Sequence, residues 1–192
     1  MYKLKRAKKP DILQEKSKEW TEHLIEKRKT EPFYFYWHIH EGKPLNHIIQ
    51  EPLLEMTRSH CAFCDGFFEQ SPVTIEHFKP KSIFPELAYE WNNLFPCCYT
   101  CQQKSDDYKD LLLKPDELEY EYEKYFYNDY VTGEIVPNPK ALVKDMARAE
   151  YTIKVYNLIA EGRNQGRKRY KKHFDRDIKP DIDDYPYRYF MK

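Results

Sequence analysis

The sequence predicts an α+β protein, mainly helical, in which a ββα-metal core held by a four-cysteine zinc knuckle pair is wrapped by N- and C-terminal helices. Three observations carry that expectation. Cysteines occur as two CxxC pairs, Cys61/Cys64 and Cys98/Cys101, about thirty-five residues apart, and such a pair closes a tetrahedral zinc site without any other ligand. Between the pairs, residues 73–77 alternate and are rich in β-branched side chains, the pattern of a strand. On both sides of this module, apolar residues recur at helical spacing.

The elements follow in chain order. Residues 10–28 read as a helix, with Pro10 and Asp11 suited to its start and Leu13, Trp20, Leu24 and Ile25 at helical spacing. Pro32-Phe-Tyr-Phe-Tyr-Trp37 is a dense aromatic patch, extended or a short buried helix. Gly42 to Pro44 marks a turn, and 45–56 is helical again, interrupted near Pro52. Cys61-Ala-Phe-Cys64-Asp-Gly66 forms a knuckle turn in which Gly66 is able to take a positive φ. The strand 73–77 leaves as the loop Phe78-Lys-Pro-Lys81. Trp91-Asn-Asn-Leu94 leads into the second knuckle, and a helix over 101–112 begins at the metal. Beyond it, 133–139 is a turn region and 141–159 a long amphipathic helix on Leu142, Met146, Ala149, Ile153 and Tyr156. A further helix covers 163–174, and the aromatic ending, Tyr185-Pro-Tyr-Arg-Tyr-Phe190, is expected to pack back onto the body. The organisation is an N-terminal helical segment, 1–57, the metal module, 58–112, and a C-terminal helical support region, 113–192.

Composition narrows the function classes. The 192 residues suit one domain, or a small core with helical wrapping. Aromatics make up 16% of the chain, with 17 Tyr and 11 Phe, so the core is expected to be built largely from rings with polar edges. Formal charge is zero, which excludes a generally basic, DNA-coating protein. Charge is nevertheless blocked: a basic start at Lys3, Lys5, Arg6, Lys8 and Lys9, an acidic stretch over 106–134, and a late basic run from Arg163 to Lys172. Such blocks suggest separate surfaces for nucleic acid and protein. No apolar run is long enough to span a bilayer, and the basic start is not followed by the apolar segment of a secretory signal. All five cysteines fall between 61 and 101, which suits metal binding in a reducing cytosol better than a disulfide framework, so the expected localisation is cytoplasmic.

Four thiolates leave no open coordination position, so the zinc would be structural. Cys97 and Cys98 are adjacent, and the CxxC spacing favours Cys98 as partner of Cys101, leaving Cys97 as a small core residue. The polar residues between the pairs suit phosphodiester hydrolysis. That reaction needs a base to activate water and a divalent cation to stabilise charge on the phosphate and the leaving oxygen. His77 supplies a base with an ordinary pKa of about 6.5, and Glu76 supplies an oxygen ligand for a hard cation. Neighbours on a strand point to opposite faces, so both serve one site only where the strand ends, and Phe78-Lys-Pro80 provides that break.

The pattern Cys61xxCys64, Ile75-Glu-His77-Phe-Lys-Pro-Lys81, Trp91-Asn-Asn93-Leu94, Cys98xxCys101-Gln-Gln-Lys104 resembles the HNH endonuclease superfamily. The resemblance implies His77 as general base, Glu76 as the acidic metal ligand before it, and Asn93 as the residue that orders the loop between strand and helix. The third signature position, nine residues after Asn93, is His or Asn in most members and Gln102 here. A Gln carbonyl binds a hard cation on a longer, less fixed arm. A catalytically decayed, zinc-stabilised binding or assembly module that regulates a partner is therefore the competing expectation. Outside the motif, Gln14-Glu-Lys-Ser-Lys-Glu-Trp20-Thr, His77-Phe-Lys-Pro-Lys-Ser82 and Pro186-Tyr-Arg-Tyr-Phe190 are similar to the PtuB-type HNH proteins of Septu and retron-associated antiphage systems. In those systems the nuclease is paired with an ABC/SMC-like ATPase called PtuA. The resemblance implies Mg²⁺- or Mn²⁺-dependent DNA cleavage during phage infection, held in check by an ATPase complex.

Several residues carry two readings. Lys79, Lys81 and Lys104 lie where neighbours of a scissile phosphate would run, or are solvated lysines. His60 is a stray ligand or a solvated knuckle histidine, and His38 and His40 are packing or surface residues. The run 163–172 is a DNA-tracking face or a solvated helix face. The acidic 117–129 stretch is a DNA mimic, a docking surface or an exposed face, and the patches 33–37 and 185–190 are core or partner interface.

Overall fold

Helix α1 spans Asp11–Arg28 in the computed structural model, which describes residues 1–68 and 72–192. Its buried face carries Leu13, Trp20 and Leu24, and Trp20 stacks on His38 with ring centroids 4.5 Å apart. The aromatic patch after it forms neither strand nor helix; Phe33 is 96% exposed, while Phe35 and Trp37 turn partly inward. Strands β1 (Ile39–His40) and β2 (Lys43–Pro44) make a two-residue hairpin whose turn uses Gly42 at φ 76°. Helix α2, Leu45–Thr57, runs through Pro52 without the expected interruption. Proline costs about 3 kcal/mol in a helix interior. Burying Leu45, Ile49 and Leu53 on one face stabilises by about 1.5–3 kcal/mol each, which outweighs it.

The central element is an antiparallel pair, β3 (Thr74–His77) with β4 (Leu94–Cys97), in the register Glu76↔Phe95 and His77↔Leu94. Single turns of 3-10 helix at Pro85–Leu87 and Trp91–Asn93 fill the connection. After β4 the expected helix over 101–112 does not form. Helix α3 is one turn, Tyr99–Gln102, and the chain then proceeds through turns. Ser105 takes φ 51°, a left-handed conformation that stops a helix, and the Lys104 side chain turns inward rather than along a helix face. The metal module is therefore two strands and a helical turn. The left-handed residue of the first knuckle is Asp65, at φ 59°, and not Gly66.

Helix α4 (Tyr122–Tyr125) leads into β5 (Phe126–Asn128), which pairs with β6 (Ile135–Pro137); the sequence suggested only a turn here. Gly133 sits in the connection at φ 81°, where a Cβ would meet the Asn164 carbonyl oxygen at 2.2 Å. Helix α5 covers Val143–Val155, shorter than expected because Asn157 is left-handed at φ 48° and Leu142 lies outside, 64% exposed. Helix α6 covers Glu161–Phe174.

Two cores result. One joins α1, α2 and the segment 88–94, through Trp20, Leu24, Ile49, Tyr89 and Trp91. The other joins the knuckles to the C-terminal half, through Phe63, Phe95, Tyr120, Tyr156 and Phe190. The aromatic ending packs back onto the body, with Tyr189 and Phe190 buried. Arg188 anchors it by a fork to Asp65, with Nη2 2.6 Å from Oδ1. The basic start is matched internally: Arg6 meets Asp116 at 2.8 Å and Lys3 meets Glu121. Two of the five cations at the basic start thus face the acidic stretch. No helix among the described residues is long and apolar enough to cross a membrane.

Candidate metal centre and adjoining cleft

The knuckle turn of 61–64 and the β4–α3 corner bring four sulfurs together. The Sγ atoms of Cys61, Cys64, Cys98 and Cys101 all lie within 4.8 Å of one another. Cys64 and Cys98 sulfurs are 3.8 Å apart. A tetrahedral zinc with bonds of about 2.3 Å requires sulfur–sulfur edges of about 3.8 Å, so this set fits the ion. Cys97 lies outside the set; its thiol donates to the Cys98 carbonyl, and burial pushes its pKa well up. Arg163 of α6 reaches the cluster from behind, with Nη2 3.1 Å from Cys101 Sγ and 3.8 Å from Cys98 Sγ. Four thiolates around a divalent ion carry a net double negative charge, and this buried guanidinium offsets part of it. His60 is neither ligand nor solvated. It is fully buried, held by the Tyr185 carbonyl at 3.1 Å and packed on Phe67.

The end of β3 opens into a cleft of about 310 Å³ lined by Glu76, His77, Lys81, Gln102, Arg28 and Asp106. His77 is 5% exposed. Its Nε2 lies 2.9 Å from the Ala88 carbonyl oxygen. A carbonyl only accepts, so Nε2 carries the proton and Nδ1 keeps a free lone pair. Trp37 stacks on the imidazole at 5.6 Å, and Phe35 meets it edge-on at 5.5 Å. Burial, reinforced by the charge of Lys81, pushes the His77 pKa down to about 3, far from the ordinary value assumed from sequence. The ring is neutral at physiological pH, so it can accept a proton, but the same burial makes it a weaker base than a free imidazole, which titrates closer to the operating pH.

Glu76 is also buried, and burial raises its pKa, with Lys104 acting in the opposite sense. Lys104 Nζ lies 2.9 Å from Glu76 Oε1, with no exposed side-chain surface. Lys104 is thus neither a solvated lysine nor open to a passing phosphate; it neutralises the carboxylate. Lys79 leaves the cleft altogether, its ammonium over the rings of Phe84 and Tyr108 at 5.2 and 5.5 Å. Lys81 alone of the three lines the cleft.

Asn93 ties the loop to the strand end. Its Oδ1 accepts the Lys79 backbone N–H at 2.8 Å, and its Nδ2 donates to the carbonyls of Lys79 at 3.0 Å and Leu87 at 3.1 Å. The Lys79 contacts hold the turn after His77, and the Leu87 contact holds the segment that presents Ala88. Gln102, the last residue of α3, brings an amide to the cleft beside Glu76. Together with Asp106, these oxygens are of the kind that holds Mg²⁺ or Mn²⁺.

Sequence reasoning missed Arg28, Asp106 and Arg163. Asp106 follows Cys101 closely, but an irregular chain there gave no period from which to place it. Arg28 fastens the aromatic patch over the cleft, donating to the carbonyl oxygens of Tyr34, at 3.0 Å, and Lys81.

No protein-family model matches the chain. Over 79 residues it is 34% identical to the Septu protein PtuB of Bacillus thuringiensis, a match that covers 38% of this chain and 30% of that protein. The chain is therefore similar to a Septu protein over a stretch that spans less than a third of that relative's length.

Proposed function

We propose that the chain is a metal-dependent HNH-type endonuclease that hydrolyses DNA phosphodiester bonds, as the nuclease effector of an antiphage defence complex with a PtuA-type ATPase. The observation that carries the reading is the His77 imidazole, neutral and fixed through Nε2 on the Ala88 carbonyl, at the end of a strand whose neighbouring residue is a buried carboxylate. The similarity to the Septu protein PtuB supports the defence role and the ATPase partner.

In this reading His77 Nδ1 takes a proton from the attacking water, and the Ala88 carbonyl stabilises the imidazolium that forms. Phe35 and Trp37 exclude bulk water from that nitrogen's ring. Asn93 keeps the turn after His77 and the carbonyl segment in register. Glu76, Gln102 and Asp106 would hold the divalent ion, which supplies charge stabilisation to the phosphate and the leaving oxygen. The zinc knuckles keep β3, β4 and α3 in one piece.

Lys104 on Glu76 favours a second reading, a decayed module that regulates a partner, because the carboxylate already has a cation. Plasmid nicking in Mg²⁺ or Mn²⁺ tests the two. Cleavage that depends on either ion supports the nuclease. Cleavage that appears only in Gln102→Asn supports decay.

A further inference from the structure

Helix α6 is divided by its contacts. Arg163, Asn164 and Arg167 face inward and are buried. Arg169 and Lys172 are exposed, Lys168 is half-buried along the groove, and Arg176 follows in the turn after the helix. None of these four cations has a carboxylate within ion-pair distance among the described residues, whereas Lys171 beside them is paired with Asp175 at 2.5 Å. This differs from the N-terminal basic block, whose Lys3 and Arg6 meet acidic partners.

Lys168 and Lys172 lie four residues apart on α6, a step of about 6 Å along the helix, and Arg176 extends the row from the turn beyond its end. The row borders a groove of about 700 Å³, closed on its far side by Tyr130 and Val131 of the β5–β6 connection. Cations in a last helical turn are often explained by the helix dipole. That accounts for Lys172 and His173, but not for Lys168 and Arg169 further back, nor for Arg176 outside the helix. A chain with zero net charge has no general field to attract a polyanion. Its affinity for one must come from a local row of this kind.

We propose that the outward face of α6 and its groove form a sequence-independent docking surface for the phosphate backbone of nucleic acid. The identity of the polyanion rests on the nuclease reading above. The surface itself shares no residue with the cleft.

The test is fluorescence anisotropy of a short labelled duplex, without added divalent ion, between about 50 and 200 mM salt. Three proteins are compared at equal zinc content: wild type, a Lys168→Ala/Arg169→Ala/Lys172→Ala variant, and a Lys140→Ala/Lys144→Ala/Lys154→Ala control. The control removes the same charge from other exposed positions. Lys168 is half-buried, so an Arg169→Ala/Lys172→Ala variant, at exposed helical positions where alanine is well tolerated, is run beside them. Each released phosphate contact changes the slope of log K against log salt by about 0.9. The triple α6 variant is therefore expected to lose about 2.7 of that slope, the double variant about 1.8, and the control less than about one. An unchanged slope in either α6 variant, or an equal loss in the control, overturns the proposal. So does an α6-dependent affinity for poly-glutamate that equals the affinity for duplex. Binding that depends on α6 without any cleavage in Mg²⁺ or Mn²⁺ sinks the nuclease reading and keeps this one. Cleavage by a protein whose binding ignores α6 does the reverse.

Discussion

Replacing Lys104 by Met leaves the Glu76 carboxylate buried without its cation. The ammonium has no exposed surface and sits 2.9 Å from Glu76 Oε1, so water cannot take its place freely. Breaking a buried pair from one side costs about 3–5 kcal/mol. Met fills most of the lysine's volume, so little of that cost is a cavity. In a chain of this length the loss lowers Tm by roughly 10 °C. The pair variant Glu76→Gln/Lys104→Met removes both charges and should recover most of the stability. The pH dependence has a definite sign. Burial already raises the Glu76 pKa, and losing Lys104 raises it further. A protonated carboxyl needs no cation, so the deficit of Lys104→Met is largest where Glu76 is ionised and shrinks as pH falls through that raised value. Guanidinium unfolding at saturating zinc, at about pH 7 and about pH 4.5, reads both effects. A variant within about 1 kcal/mol of wild type at both values would refute the assignment of Lys104 as the neutralising partner.

Other consequences follow from the same geometry. Cys98→Ser should lose zinc and unfold, since structural zinc contributes about 10–16 kcal/mol, while Cys97→Ser should keep one zinc per chain by elemental analysis; equal zinc in both would contradict the four-sulfur set. Arg163→Met should retain the fold but surrender zinc to a chelator roughly 10–100-fold faster, because its guanidinium no longer offsets the thiolate charge. His77, neutral when folded and pushed down to about 3, makes the folded state bind fewer protons than the unfolded one below the ordinary histidine range. Stability should fall with acidification by about 1.4 kcal/mol per pH unit from about 6.5 downward, and His77→Gln should lack that component; parallel curves for the two proteins would sink it.

The four-cysteine cluster was legible because a set of four thiols able to hold zinc needs only a spacing, and spacing is written in the sequence. Strand β3 and helix α1 were legible for the same reason, since each carries a simple period, whereas α6 buries Arg163, Asn164 and Arg167 and shows no apolar period. The helix after the second knuckle was not legible. Ser105 in a left-handed conformation stops it, and a serine gives no warning of that as a glycine would. The β5–β6 hairpin escaped because three-residue strands hold too few alternations to register. Of the residues singled out from their pattern, Glu76, His77 and Gln102 line the cleft, and Asn93 lies outside it, bonded to the turn after His77. What surrounds them was not legible: Lys104 looked like a surface cation until its partner was seen, and a buried ion pair between residues 28 apart in sequence leaves no local mark. The aromatic patch over 32–37 was conspicuous, yet only the folded chain shows that Phe35 and Trp37 cover the imidazole and depress its pKa.

The measurement that bears most directly on the nuclease reading is plasmid nicking by purified wild type and His77→Ala at matched zinc content. Wild type should nick DNA only with Mg²⁺ or Mn²⁺ present, and His77→Ala should lose nicking while keeping one zinc per chain. Undiminished nicking by zinc-loaded His77→Ala would contradict the account.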